Sequence, residues 1–280
     1  MSTQTPAIPA TAPLPPGRAG FGHLMLSEWT KVRSVRSTVW SLALFIVITI
    51  GLTVLFTWLT EANWSNGQGA AARAASVSAD PVSFIMGAGA GLGQLVICVL
   101  GALLITTEYS TGVIRASLLA VPRRVPMLAA KAVVFAILIL IVAEIVCFSM
   151  FLTGSAILSS KVSVTLGDHN VARAVIGSGL YLTLIGLLAM AVGLLIRHTA
   201  GSIATIIGVV LVLPILSGLL PGSWGAHINA YLPEQAGTLI GQATRGSGDL
   251  LGPWQGFGVL CLWVAVLMTI GIVLLKRRDA

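Results

Sequence analysis

The sequence has few charged residues. Only 9% are Asp, Glu, Lys or Arg, against roughly 25% in an average soluble domain. Because a soluble fold of 280 residues could not cover its surface with so few charges, this scarcity excludes a soluble enzyme. Hydrophobic residues make up 56% of the chain and lie in long runs, and the mean hydropathy is +0.96. The composition predicts an integral membrane protein, and it excludes a disordered chain and a disulfide scaffold.

Motifs that carry chemistry are also missing. The three cysteines, Cys98, Cys147 and Cys261, are odd in number and lie inside apolar runs, which favours neither disulfides nor a metal site. None of the four lysines follows a glycine, so the chain lacks a phosphate-binding P-loop. No Gly-x-Ser-x-Gly nucleophile elbow is present. The sequence therefore predicts no catalytic residue, no metal site and no cofactor bound by this chain.

Six apolar segments are long enough to cross a bilayer, which takes about 20 residues of helix. They are residues 39–59, 85–106, 132–152, 174–196, 201–220 and 255–275. The predicted fold class is therefore an all-α membrane protein with six transmembrane helices. Residues 1–20, rich in Pro and Ala, are interpreted as a disordered tail rather than a signal peptide. Residues 21–280 are expected to form one membrane domain.

The distribution of Lys and Arg predicts the orientation. With both termini in the cytoplasm, 12 of the 16 basic residues lie inside and 4 lie outside. The four outside are Arg73, Lys161, Arg173 and Arg245. We therefore expect a multi-pass protein of the plasma membrane with cytoplasmic ends.

Residues 21–37 predict an interfacial amphipathic helix before the first span. One face carries Phe21, Leu24, Met25, Trp29, Val32 and Val35, and basic residues such as Arg33 lie opposite. Glu28 falls within the apolar face. Two interpretations are open: an ion pair with Lys31 on the same helix, which we favour, or a contact with a partner or another segment of this chain.

The segment after the second span, residues 107–121, predicts a short cytoplasmic helix. Glu108, Thr111, Gly112 and Arg115 fall on one face of it. This face suits contact with a soluble protein, although charge and amphipathicity alone favour a merely solvated loop helix. Residues 197–200 form a tight turn between the fourth and fifth spans.

Several features within the spans indicate packing or function. Glu144 is the only charged residue in the middle of a span, where a carboxylate costs at least ~2.5 kcal/mol. It serves either as a substrate or proton site or, slightly favoured, as a partner in a hydrogen bond between helices. The pairs Gly87/Gly91 and Gly89/Gly93 predict close helix packing. Pro214 predicts a kink in the fifth span, and residues 221–253 predict short helices at the outer interface.

Three stretches together resemble the actinobacterial permeases of type-2 (ABC-2 type) ABC exporters. They are Ser27–Thr38 (SEWTKVRSVRST), Thr106–Arg115 (TTEYSTGVIR) with the following VPRR and Lys131, and Tyr231–Gly237 (YLPEQAG). The resemblance extends from about residue 21 to the end of the chain.

The resemblance implies a permease subunit of an ATP-driven exporter. Its partners would be a cytoplasmic ABC ATPase subunit, which binds ATP and Mg, and a second permease subunit, expected to be a second copy of this chain. The helix before the first span would be the elbow helix, with Glu28, Trp29, Lys31 and Arg33. The coupling residues would be Glu108, Tyr109, Thr111, Gly112 and Arg115, with Arg197 as a second, smaller contact.

The family exports drugs, peptides and lipids, and no motif selects among them; no nucleic-acid partner is expected. Three rivals remain open: a proton-coupled secondary transporter that uses Glu144, a non-transporting scaffold or sensor subunit, and, least favoured, an intramembrane enzyme.

Overall fold

The computed structural model describes residues 20–112, 124–220, 223–246 and 248–278. In chain order its helices are α1 (Phe21–Ser34), α2 (Arg36–Ala62), α3 (Ala70–Ala79), α4 (Pro81–Ser110), α5 (Arg124–Leu158), α6 (Val171–Ile196), α7 (Thr199–Gly218), α8 (Ser223–Ala230), α9 (Pro233–Thr238) and α10 (Pro253–Arg278). Within these residues, six helices are long and apolar enough to cross a membrane: α2, α4, α5, α6, α7 and α10. The predicted all-helical, six-span architecture is confirmed.

The helix α4 extends further than the sequence predicts. It runs past Thr106 to Ser110, and Gly112 then turns the chain with a φ of +72°. Glu108 and Tyr109 therefore belong to the last turn of a spanning helix, and the separate helix predicted from residue 107 is wrong at its start. The helical hydrogen bonds simply continue beyond the apolar run. Residues 113–123, including Arg115, lie outside the described residues.

The helix α1 also differs from its predicted form. It ends at Ser34 rather than residue 37, because Val35 is extended and α2 begins at Arg36. Its buried residues are Leu24, Glu28 and Val32, while Phe21, Trp29 and Val35 are exposed. The predicted apolar face therefore includes a buried stripe and also residues that are exposed in this chain, where an interfacial helix would meet lipid. Residues four apart share a helix face, and it is this narrower stripe that lies against α5.

The helix α6 lies at the centre of the bundle and contacts α4, α5 and α10. Small residues allow these approaches. A Cβ atom on Gly101 of α4 would lie 2.3 Å from the Gly186 carbonyl oxygen of α6. The two backbones therefore touch where glycine leaves room, as expected when helices associate in lipid.

Two of the four alternating glycines of α4 form a close seam with α2. A Cβ atom on Gly89 would lie 2.1 Å from the Thr49 carbonyl oxygen, and one on Gly93 would lie 2.2 Å from Thr49 Oγ1. The space beside Gly87 and Gly91 is open. The prediction of close packing is confirmed for the Gly89/Gly93 pair and wrong for the Gly87/Gly91 pair, because only the former faces a neighbouring helix.

The α2 side of this seam is a buried threonine column, Thr49, Thr53 and Thr57. Thr53 donates its hydroxyl hydrogen to the Thr49 carbonyl, and Thr57 donates to the Thr53 carbonyl. The column thus satisfies two of its hydroxyls within its own helix.

The last third of the chain contains an irregular span and the predicted short helices. In α7, five residues, Gly208–Val212, are π-helical and end two residues before Pro214. Such a local widening is a known cause of helix bending and accommodates the missing proline N–H. The predicted short helices are α8 and α9. The Trp263 side chain of α10 donates to the Tyr231 carbonyl at 3.0 Å.

The helix α3, between the first two spans, was not predicted.

We expect Gly89→Ala to destabilise the protein by about 1–3 kcal/mol, because the new methyl group overlaps the α2 backbone. Thermal unfolding in detergent measures this effect. Gly91→Ala is the matched control in the same helix, where the open space and the higher helix propensity of alanine predict no loss or a gain of up to about 1 kcal/mol. Equal losses in both variants would contradict the assigned seam.

Candidate functional site

Four charged side chains from three helices meet at the end of the bundle that contains α1; we call them the ionic cluster. They are Glu28 and Lys31 of α1, Glu108 of α4 and Lys131 of α5. Lys31 Nζ donates to Glu28 Oε1 at 2.6 Å, and Lys131 Nζ donates to Glu28 Oε2. Lys131 Nζ also donates to Glu108 Oε1 at 2.7 Å, and Lys31 Nζ lies 3.7 Å from that oxygen. Each cation therefore faces both carboxylates.

The ionic cluster is neutral as a whole, and its Glu28–Lys131 pair is deeply buried. The side chains of Glu28 and Lys131 are only 2% and 3% exposed. Removing one partner from such a pair leaves an uncompensated buried charge, which costs about 3–5 kcal/mol. Both interpretations of Glu28 left open by the sequence are therefore realised, since it pairs with Lys31 on its own helix and also with Lys131 of α5.

The cluster favours the charged forms of Glu28 and Lys31. Burial alone would raise the pKa of Glu28, but the charges and hydrogen bonds of Lys131 and Lys31 hold that pKa below its ordinary value of 4.5. Burial would lower the pKa of Lys31, yet Glu28 and Glu108 hold it above its ordinary 10.5. The Glu28 contribution to stability is complete above its ordinary pKa and is lost as the pH falls through the folded pKa. The Lys31 contribution is complete below 10.5 and is lost as the pH rises through the folded value.

The predicted coupling residues are brought together only in part. The Arg197 guanidinium lies over the Tyr109 ring, 4.9 Å from its centroid, a cation–π contact that joins the end of α6 to the end of α4. Arg197 adopts a φ of +60° in the turn between α6 and α7. Thr111 is exposed and donates to the Thr107 carbonyl. Trp29 and Arg33 are exposed on α1, apart from the ionic cluster.

Glu144 lies far from the ionic cluster. It is 13 residues beyond Lys131 on α5, about 20 Å along the helix axis. Its carboxylate lies against α6, where a Cβ on Gly179 would be 2.5 Å from Glu144 Oε1. Its Oε2 is buried and accepts no hydrogen bond from the described residues, so the favoured bond between helices is not observed in that part of the chain.

A second polar cluster, absent from the sequence analysis, connects α9 to the bundle. The buried Tyr181 of α6 donates its hydroxyl hydrogen to Gln94 Oε1 of α4. The side chains of Gln94 and Gln235 both hydrogen-bond to Glu234, and Gln235 Nε2 lies 3.0 Å from Glu234 Oε2. Burial raises the pKa of Glu234, although these bonds partly oppose the shift. This cluster fixes a short helix against two spans.

Two signals in the sequence point to Lys131 and Gln94, for which no contact was predicted. Lys131 directly precedes a predicted apolar span, and Gln94 lies inside one. Because a polar side chain in hydrocarbon needs a partner, each indicates a contact between helices. Neither residue by itself indicates which helix supplies that contact.

The described residues define the class of this protein: a multi-pass, all-helical membrane protein. Among these residues, no group of three or more His, Cys, Asp or Glu side chains is placed to hold a metal ion. The chain matches no known family model and no curated protein.

We expect Lys131→Met to lower the stability by about 3 kcal/mol or more, because it leaves Glu28 buried with fewer partners. The double variant Glu28→Gln/Lys131→Met should lose less than the sum of the two single variants, since the carboxylate is removed together with its cation. Thermal unfolding in detergent measures all three losses. Strict additivity would show that the two residues do not interact.

Proposed function

We propose that this chain is the membrane-spanning permease subunit of an ATP-driven exporter of the plasma membrane, with both termini in the cytoplasm. The ionic cluster carries the proposal. It joins α1 to the end of α4 and the start of α5, the two spans whose connection would receive a cytoplasmic ATPase. The resemblance of the α1 and post-span motifs to type-2 exporter permeases supports the same assignment. The partners would be that ATPase, which binds ATP and Mg, and a second copy of this chain.

In the proposed mechanism, the ionic cluster transmits movement from one helix to another. A force applied at the connection between α4 and α5 would reach α1 through Lys131 and Glu28, because a buried charge-assisted hydrogen bond joins these two residues. It would reach α6 and α7 through the contact of Tyr109 with Arg197. Nucleotide-driven closure of the ATPases would thus move several spans together. The chain itself would perform no covalent chemistry and would move a drug, peptide or lipid-like molecule.

We expect a soluble ATPase to co-purify with the tagged chain from its native membrane in mild detergent. Arg115→Glu should reduce the recovered ATPase at least about tenfold, because it reverses a charge on the predicted docking segment. Mass spectrometry of the bound fraction measures the recovery.

Arg245→Glu is the matched control, because it makes the same charge reversal in the segment between α9 and α10 that the proposed orientation places outside. This variant should retain the ATPase. Absence of any ATPase from several mild detergents, or equal loss in both variants, would contradict the proposal.

A second candidate function is proton-coupled transport, favoured by one observation. Glu144 holds a carboxylate oxygen in the spanning region that accepts no hydrogen bond within the described part of the chain. A carboxyl group in that setting suits proton binding and release. The candidate requires transport without ATP, which separates it from the first.

We expect Glu144→Gln to leave ATP-driven export within about threefold of wild type if the first proposal holds, since the amide keeps the shape of the side chain. If the chain is proton-coupled, the same variant abolishes gradient-driven uptake or efflux in liposomes. Measuring both activities on one preparation, with ATP and with an imposed pH gradient, decides between the two candidates.

A further inference from the structure

A cavity of about 390 Å³ opens beside the ionic cluster, between α1, α2, α4 and α5. This volume lies within the range of small-molecule binding sites. The wall formed by α4 and the residue that follows it extends from Leu100 to Thr111, which is about 16 Å along the helix axis. The cavity thus reaches from the polar end of the bundle into its apolar depth.

The polarity of the α4 wall changes along its length. The deep part is formed by Leu100, Leu103 and Leu104, and the part near the end is formed by Thr107, Glu108 and Thr111. Because these residues are spaced three or four apart, they share one helix face. A molecule that fits this wall has an apolar chain, which would lie in the deep part, and a polar head, which would lie near the end of the bundle.

The polar part of the cavity is rich in hydrogen-bond acceptors. Ser34, Thr107 and Thr111 each donate their hydroxyl hydrogen to a carbonyl of their own helix, at 3.0, 2.7 and 2.7 Å. Their oxygens are left to accept bonds from a ligand. The carboxylate of Glu108 adds a negative acceptor to the same wall. These groups complement a head that donates several N–H bonds, such as a primary ammonium.

One cation of the cavity remains accessible. The Lys31 side chain is 39% exposed, while that of Lys131 is 3% exposed and is bound by both Glu28 and Glu108. Lys31 therefore offers its ammonium to an anionic group next to the acceptor wall. The cavity thus presents a positive and a negative group side by side, with Lys31 Nζ 3.7 Å from Glu108 Oε1. Such a pair matches a zwitterion better than a simple anion, which Glu108 would repel.

We propose that this cavity binds a phosphoethanolamine lipid. The lipid ammonium would donate to Glu108 and the threonine hydroxyls, its phosphate would pair with Lys31, and the start of one acyl chain would lie along the α4 leucines. The site is independent of the proposed ATP-driven transport, because lipid binding requires neither the ATPase nor movement of a substrate.

Native mass spectrometry of the delipidated full chain in detergent tests the proposal. Four probes with matched short chains are compared: dihexanoyl phosphoethanolamine, phosphocholine and phosphoglycerol, and hexylamine. We expect phosphoethanolamine to bind at least about tenfold more tightly than each of the others, since phosphocholine has no N–H donor, phosphoglycerol has no cation and hexylamine has no phosphate. Equal binding of the three phospholipids, or hexylamine binding as tightly as phosphoethanolamine, would overturn the proposal.

Variants locate the binding in this cavity. Lys31→Gln and Thr107→Val should each weaken phosphoethanolamine binding at least about fivefold, and Leu103→Trp, which fills the deep part, should abolish it. Arg33→Gln is the control, because Arg33 is an exposed cation of the same helix that does not line the cavity. Thr107 is also exposed, so its replacement reports on binding even if Lys31→Gln fails to fold. Unchanged binding in Thr107→Val and Leu103→Trp would overturn the assignment.

Discussion

The cost of burying charge at the edge of a membrane governs the arrangement at one end of this protein. Lys131 can lie at the start of a spanning helix only because two carboxylates from other helices meet it, and each carboxylate can be buried only because a lysine is present. None of the three helices α1, α4 and α5 can move away alone without leaving a charge unpaired. The positions of α1, α4 and α5 relative to one another therefore follow from one neutral set of four side chains.

The two ends of the bundle are held by different chemistry. At the end with α1, four charged groups join three helices. Near α9, hydrogen bonds connect the helices instead. They involve the amide of Gln94, the phenol of Tyr181 and the carboxyl group of Glu234. Between them the contacts are mostly apolar, with α6 and its small residues at the centre. Ion pairs strengthen as water is excluded. We therefore expect the stability of the ionic cluster to depend more on hydration and pH than that of the rest of the bundle.

The sequence predicts the number and approximate position of the spans, because hydrocarbon thickness imposes a simple length rule. It also predicts that Glu28 needs a partner and that Gly89 and Gly93 permit close packing. It predicts the pairing of Glu28 with Lys31 on the same helix, but not the pairing with Lys131, because a contact across 103 residues depends on how the helices assemble. The end of α4 is missed for a similar reason: polarity changes at Thr106, but backbone hydrogen bonds do not stop there. Gly87 and Gly91 have the same spacing as Gly89 and Gly93, and the three-dimensional structure is needed to show that they face open space.

The threonine column of α2 has a consequence for motion. Thr53 and Thr57 give their hydroxyl hydrogens to their own helix, and Thr49 Oγ1, which meets Gly93, has no hydrogen-bond partner among the described residues. The contact of these threonines with the α4 glycines is therefore one of shape and not of bonding. A small sliding displacement of α2 along α4 would break no hydrogen bond of the column, and glycine would present no side chain to obstruct it. The seam would therefore permit small sliding movements of α2 along α4, whereas the ionic cluster, about 22 Å further along α4, holds α1, α4 and α5 in fixed positions.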